Sequence, residues 1–279
     1  MVANLTGTAW LRQLRPDPVP RTVLVCFPPG GGAVTAYRAL AQEFGSGTAV
    51  FAVQYPGRQD RLGDPLVTSL CTLAEQAAAD LLRWPSGIRL ALFGHSMGAT
   101  VAYETARQLE AAGRDLARLF VSGRPVPAYA EPGRLHQGSD SDLIADLERL
   151  ANDAAAVQML RDEPGLAELV LPAVRADYQA VETYRYQPGP RLRCPITALV
   201  STEDPTTTVA QAGEWSQYTS GDFDRGTFPG RHFYLDLPEN VGPVADFVAR
   251  RLDSTYSPAQ DSTTQTATSS RTNSNASRG

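Results

Sequence analysis

The sequence predicts an α/β fold: a mostly parallel sheet flanked by helices, with a helical lid insertion. Three observations lead there. Short apolar runs of strand length alternate with segments whose apolar residues recur at helical spacing, an alternation that builds a parallel sheet covered on both faces. The motif Gly94-His95-Ser96-Met97-Gly98 stands between one such run, Leu90-Ala91-Leu92-Phe93, and one such helical segment. The alternation breaks once, between about 125 and 190, where only helical periodicity is found.

The elements justify themselves in order. Thr22-Val23-Leu24-Val25-Cys26-Phe27 reads as a buried strand and runs into the loop Pro28-Pro29-Gly30-Gly31-Gly32. A helix follows from near Ala33, with Tyr37, Leu40 and Phe44 on its buried stripe. Residues 50–53 form a second strand, ending at the Pro56-Gly57-Arg58 turn. From 69 to 83, Leu70, Leu73, Ala74, Ala77 and Leu81 share one helical face. The run 90–93 is the next strand, and the helix after it aligns Ala99, Ala102, Tyr103, Ala106 and Leu109. Residues 119–122 continue the sheet.

Within 125–190, residues 142–150 show helical spacing through Leu143, Leu147 and Leu150, with Ser139 or Ser141 as the cap. Residues 166–186 form a second helical region. Pro172 there predicts a kink or two abutting helices, since proline lacks a donor and crowds the preceding turn. A helical insertion in such a sheet is placed to act as a lid. The alternation resumes with a strand at Ile196–Ser201, a helix at 209–218, a short strand at 226–228 and a last helix at 241–252.

The 279 residues, 42% hydrophobic and 20% charged with a net charge of −5, suit a single domain over 1–253. Half of 254–279 is Ser or Thr, and this stretch is expected to be a disordered tail. The chain has no apolar run of membrane-spanning length, and residues 1–10 carry no secretory pattern. Three widely spaced cysteines, Cys26, Cys71 and Cys194, suggest neither a disulfide framework nor a metal site. A cytoplasmic monomer without metal or cofactor is therefore expected. The acidic balance and scattered arginines argue against nucleic acid as a partner, and the lack of a span argues against a membrane. All 25 basic residues are arginine, which excludes chemistry that needs a Schiff-base lysine or a Ser-Lys dyad.

Gly-x-Ser-x-Gly at a strand-to-helix turn is the nucleophile elbow of α/β-hydrolases. It lifts Ser96 Oγ above the sheet edge, spares the Cβ clashes that residues 94 and 98 would cause, and leaves the Met97 N–H free to face an oxyanion. A serine nucleophile needs a base, and the chain has three histidines. His95 adjoins the nucleophile and should point elsewhere; His136 precedes any plausible acid. In this fold the order is Ser, then Asp or Glu, then His, which selects His232. The acid should follow the strand Ile196–Ser201, and Asp204 stands there before Pro205. Glu203, Asp222 and Asp224 are its competitors. The second oxyanion donor should come from the glycine loop after the first strand, with Gly30 first and Gly31 next.

These residues resemble those of the type II thioesterases that act beside polyketide and nonribosomal peptide synthases. The likeness runs from about Trp10 to Leu252. It rests on Phe27-Pro28-Pro29-Gly30-Gly31-Gly32, Gln54-Tyr55-Pro56-Gly57-Arg58, the elbow through Ala99, Leu171-Pro172-Ala173-Val174-Arg175-Ala176-Asp177-Tyr178, Asp204-Pro205 and Phe228-Pro229-Gly230-Arg231-His232-Phe233. The resemblance implies a triad of Ser96, Asp204 and His232, an oxyanion hole of the Gly30 and Met97 N–H groups, and a substrate of acyl thioester on the phosphopantetheine arm of an acyl or peptidyl carrier protein. Two positions depart from the family pattern: Pro29, where histidine is common, and Arg231, where glycine is common. A carboxylesterase or lipase, a terminal cyclising thioesterase and a non-catalytic carrier-binding module are the rival readings. Leu143, Leu147, Leu169 and Val174 either line an acyl channel or pack on the sheet. Arg58, Arg61, Arg175, Arg185 and Arg231 are candidates for a basic docking face or ordinary surface charges.

Overall fold

A computed structural model describes residues 7–253, and the expected tail at 254–279 lies outside them. Among the described residues seven strands form one sheet: β1 (Leu11–Arg15), β2 (Thr22–Phe27), β3 (Thr48–Val53), β4 (Leu90–His95), β5 (Arg118–Ser122), β6 (Ile196–Ser201) and β7 (Phe223–Phe228), in the order β1-β3-β2-β4-β5-β6-β7. Every neighbouring pair is parallel except β1 with β3. This is the α/β-hydrolase architecture. β2, β4 and β6 are buried along their whole length, which is why they read as unbroken apolar runs.

The sheet separates two cores, and β2 shows how. Val23, Val25 and Phe27 pack on one face with Leu73, Ala77, Tyr103 and Leu109, while Leu24 and Cys26 pack on the other with Leu40, Val244 and Phe247. The first face is covered by α2 (Leu70–Leu81) and α3 (Met97–Ala111), the second by α1 (Arg38–Glu43) and α8 (Pro238–Leu252); α7 (Val209–Gly213) precedes β7. The period-2 strand and the one-sided helices thus agree on where the core lies.

Between β5 and β6 stand α4 (Asp140–Leu150), α5 (Ala154–Asp162) and α6 (Pro164–Thr183). Ser139, rather than Ser141, caps α4: its Oγ accepts from the Asp142 N–H at 3.2 Å while the Asp142 carboxylate accepts from the Ser139 N–H at 2.8 Å. Of the two alternatives expected at Pro172, abutting helices do not occur, because α6 is one helix with Pro172 inside it. The carbonyl that loses its partner is that of Glu168, an exposed residue that water can serve. Buried Leu171, Ala173, Val174 and Ala176 hold the flanking turns. The predicted helix at 209–218 is the short α7 followed by a 3₁₀ turn, Glu214–Tyr218. Among the described residues no helix is long and apolar enough to cross a membrane.

Candidate active site

β4 delivers the chain to Ser96, which takes φ 53° and ψ −123°, and α3 begins at the next residue. A left-handed serine is strained, and here the surroundings hold it. The Ser96 N–H donates to the Ser122 carbonyl at 2.8 Å. A Cβ at position 94 would lie 2.2 Å from the Gly98 carbonyl oxygen, and one at 98 would lie 2.0 Å from that of Phe27. Both elbow glycines are therefore required by the closeness of helix and strand.

The loop after β7 carries His232 to this serine. Its Nε2 lies 2.9 Å from Ser96 Oγ, and its Nδ1 lies 3.0 and 3.1 Å from the two carboxylate oxygens of Asp204, which follows β6. The two loops are stitched together: Ser201 Oγ donates to the Arg231 carbonyl at 2.7 Å and the Glu203 N–H to that of Gly230 at 3.1 Å. Burial opposes charge on Asp204, but hydrogen bonds from His232 and Thr206 outweigh it and hold the carboxyl below the usual carboxylate range. Of the competing acids, Asp224 is engaged by Arg251. Neither Glu203 nor Asp222 meets His232 in a hydrogen bond or ion pair.

The other histidines lie where the order argument leaves them. His136 pairs with Glu182 in the inserted region. His95 is buried beside the elbow, its Nδ1 2.9 Å from Ser122 Oγ, which in turn meets the Tyr234 hydroxyl at 2.7 Å.

The Gly30 and Met97 N–H groups donate to no acceptor among the described residues, and both residues line the cavity that contains Ser96 and His232. The Gly31 N–H is engaged, donating to Asp177 Oδ2 at 2.7 Å. Two cavities meet here. One of about 270 Å³ holds Ser96, Met97, Arg124, Tyr178, Thr206 and His232. The other, of about 540 Å³, is mainly apolar, with Tyr37, Leu147, Val157, Val170, Val174 and Leu235 in its wall. Gly30, Leu147 and Phe233 line both. Of the four candidate channel residues, Leu147 and Val174 line a cavity; Leu143 is buried away from both and Leu169 is exposed.

The candidate basic residues have other partners. Arg58 is buried in an ion pair with Asp177, Arg61 pairs with Asp64, and Arg175 with Asp140. Arg185 donates to the Glu182 and Tyr184 carbonyls, and exposed Arg231 to that of Arg149. Among the described residues no group of three His, Cys, Asp or Glu side chains is arranged to hold a metal.

Sequence reasoning missed two features. Thr206 gives both its N–H (2.8 Å) and its hydroxyl (2.7 Å) to Asp204 Oδ1. The Asp-Pro-Thr run is a signal for such a turn. The Arg58–Asp177 pair spans 119 positions, and its signal was the presence of both residues in the quoted motifs.

The model of the thioesterase domain matches residues 22–252. The thioesterase PikA5 of Streptomyces venezuelae is 40% identical over 234 residues, covering 84% of this chain and 82% of its own. Among solved structures, the type II thioesterase BorB from the borrelidin biosynthetic cluster is 41% identical, with a TM-score of 0.80, covering 90% of this chain and 100% of its own. RedJ, a thioesterase of the prodiginine pathway in Streptomyces coelicolor, is 35% identical, with a TM-score of 0.76 over 83% of this chain and 86% of its own.

Proposed function

The chain belongs to the thioesterase family, and on that premise we propose that it hydrolyses acyl thioesters held on the phosphopantetheine arm of an acyl or peptidyl carrier protein in polyketide or nonribosomal peptide biosynthesis. The observation that carries the reading is the 2.9 Å approach of His232 Nε2 to Ser96 Oγ with Asp204 on the opposite ring nitrogen.

The chemistry follows from that line of atoms. His232 takes the Ser96 proton as Oγ attacks the thioester carbonyl. The tetrahedral oxyanion is met by the Gly30 and Met97 N–H groups, which have no acceptor among the described residues to give up first. The carrier thiol leaves, its proton supplied by His232, and an acyl-Ser96 remains. Water deprotonated by His232 then attacks the acyl carbon, and the acid departs as the proton returns to Ser96. Asp204 keeps Nδ1 protonated and stabilises the imidazolium. The phosphopantetheine belongs to the substrate, so the reaction asks for no cofactor. The apolar 540 Å³ cavity suits the acyl chain, and the smaller, more polar one suits the arm. Helices α4 to α6 then serve as the lid over both.

The test is the intact mass of a panel of acyl-carrier proteins before and after treatment. Loss of the acyl mass, with the phosphopantetheine retained, is the expected result. Acyl carriers left unchanged while p-nitrophenyl esters are cleaved would make the protein an esterase. A folded chain that fluorophosphonate does not label at Ser96 would make it a binding module.

A further inference from the structure

We propose that Asp177, gripped by Arg58, is a positioning residue for the oxyanion-binding loop, and that it makes assembly of the hole depend on the seating of α6. The inference rests on the reading of Gly30 and Met97 as the oxyanion donors.

The loop from Pro28 to Gly32 has three successive glycines, and such a chain roams unless it is held. An oxyanion hole works only if its donors are in place before charge develops. Within the loop the Gly32 N–H donates to the Pro29 carbonyl at 2.9 Å, but the hold on the Gly31 N–H comes from outside it. Asp177 Oδ2 accepts from the Gly31 N–H at 2.7 Å and from Arg58 Nη1 at 2.6 Å, while Asp177 Oδ1 accepts from Arg58 Nη2 at 2.9 Å. Arg58 Nη1 also donates to the Gly32 carbonyl at 3.1 Å. Gly31 takes φ +72°, and a Cβ there would meet Val174 Cγ2 at 3.0 Å. Asp177 thus fixes the peptide plane carrying the Gly31 N–H, and that restrains the neighbouring plane carrying the Gly30 N–H.

Arg58 is itself fixed. Its Nε donates to the Pro56 carbonyl at 3.3 Å, and Gln54 bridges from the Arg58 carbonyl (3.0 Å) to the Val34 N–H (3.2 Å). Both partners of the ion pair are buried, Asp177 to 1% exposure. A buried ion pair is a poor source of stability, because desolvation consumes most of its attraction. Its value here is geometric: a bidentate fork that presents one carboxylate oxygen to one backbone N–H. Asp177 belongs to α6, which also supplies Val174 and Tyr178 to the cavity walls. Lifting α6 to admit a carrier-borne acyl group would withdraw the carboxylate from Gly31 and leave the peptide between Gly30 and Gly31 without its anchor, although Arg58 and the Pro29 carbonyl still hold Gly32. Closure of the cover and assembly of the hole become one event.

The experiment compares wild type with Asp177→Asn and Arg58→Lys on an acyl-pantetheine and on a p-nitrophenyl ester of equal chain length. Binding of a trifluoromethyl ketone, which forms an oxyanion adduct at Ser96, and of the matching alcohol, which does not, is measured in parallel. Asp177→Asn should lower kcat about 100-fold with KM within about threefold, the scale of a lost oxyanion donor. Ketone affinity should fall in parallel and alcohol affinity should not. Arg58→Lys, which keeps the charge but not the fork, should lose about tenfold. Unchanged kcat, or KM and alcohol affinity worsening together with kcat, overturns the proposal. If wild type cleaves only the oxygen ester, the thioester reading fails while the positioning claim is still tested on that ester. Should the variants not fold, amide exchange in the wild-type chain decides. The Gly31 amide should be protected in the free protein and the Gly30 amide only in the ketone adduct; an unprotected Gly31, or no change at Gly30, refutes it.

Discussion

The His95 and His232 rings lie 5.0 Å apart, centroid to centroid, so the proposed base shares its surroundings with a second imidazole. Burial, reinforced by the nearby His232, pushes the pKa of His95 down to about 3 from an ordinary 6.5. A neutral His95 leaves room for the positive charge that His232 must carry in mid-reaction. The folded state therefore holds fewer protons on His95 than the unfolded chain does. Its contribution to stability is whole above pH 6.5 and is lost as pH falls toward 3. Chemical denaturation at pH 7 and pH 4.5 should differ by about 2–3 kcal/mol more in wild type than in His95→Gln, which has no titrating group at position 95. Parallel pH dependence in the two proteins would contradict this.

Thr206 stands behind Asp204 as Asp204 stands behind His232. Its hydroxyl is 2.7 Å from Asp204 Oδ1 and 3.2 Å from His232 Nδ1, so removing it loosens the hold on the acid and on the ring. A hydrogen bond to a charged group contributes about 1.5 kcal/mol or more, roughly a tenfold change in rate. Thr206→Val should reduce kcat about tenfold, and Thr206→Ser should restore it to within about twofold. Steady-state kinetics on one thioester suffices; a Val variant at full rate would remove Thr206 from the account.

What was legible in the sequence was local or ordered along the chain. Ser96 announced itself through its two glycines and the strand before it. Asp204 and His232 followed from order, and β2, β4 and β6 from apolar runs that burial on both faces produces. The rest was hidden for physical reasons. β1 has the sequence LRQLR, too short and charged to alternate cleanly, and it is a strand because β3 offers an edge, with Leu11 opposite Val53. The helix α5 starts at an Asp153 cap that single-residue spacing does not reveal. The union of Arg58 and Asp177 belongs to tertiary packing, since neither residue has a local reason to be buried.

The elbow's geometry sets a limit on substitution. Gly98 has no alternative, because an added Cβ would lie 2.0 Å from the Phe27 carbonyl oxygen and 2.5 Å from that of Pro28, and backbone cannot swing aside like a side-chain tip. Gly98→Ala should cost at least about 3 kcal/mol, which lowers Tm by roughly 6–12 °C in a domain of this size. Gly113→Ala is a useful contrast: its Cβ would meet nothing within 4 Å, and only φ +80° opposes it. Calorimetry should rank Gly98→Ala as the more damaging, and the reverse order would mean that strand and helix are farther apart than described.

The apolar cavity gives the last prediction. Val170 lines it but not the smaller cavity that holds Ser96 and His232, so a larger side chain there takes space from an acyl chain without touching the reacting atoms. Each methylene excluded forfeits about 0.8 kcal/mol, close to a fourfold change in kcat/KM. Val170→Phe, by displacing two methylenes, should lower kcat/KM about 15-fold on the longest acyl-pantetheines accepted by wild type. Acetyl and propionyl substrates, which carry few methylenes to exclude, should be hydrolysed at close to the wild-type rate. A uniform loss across all chain lengths would instead show that the chain runs elsewhere and that Val170 merely supports α6.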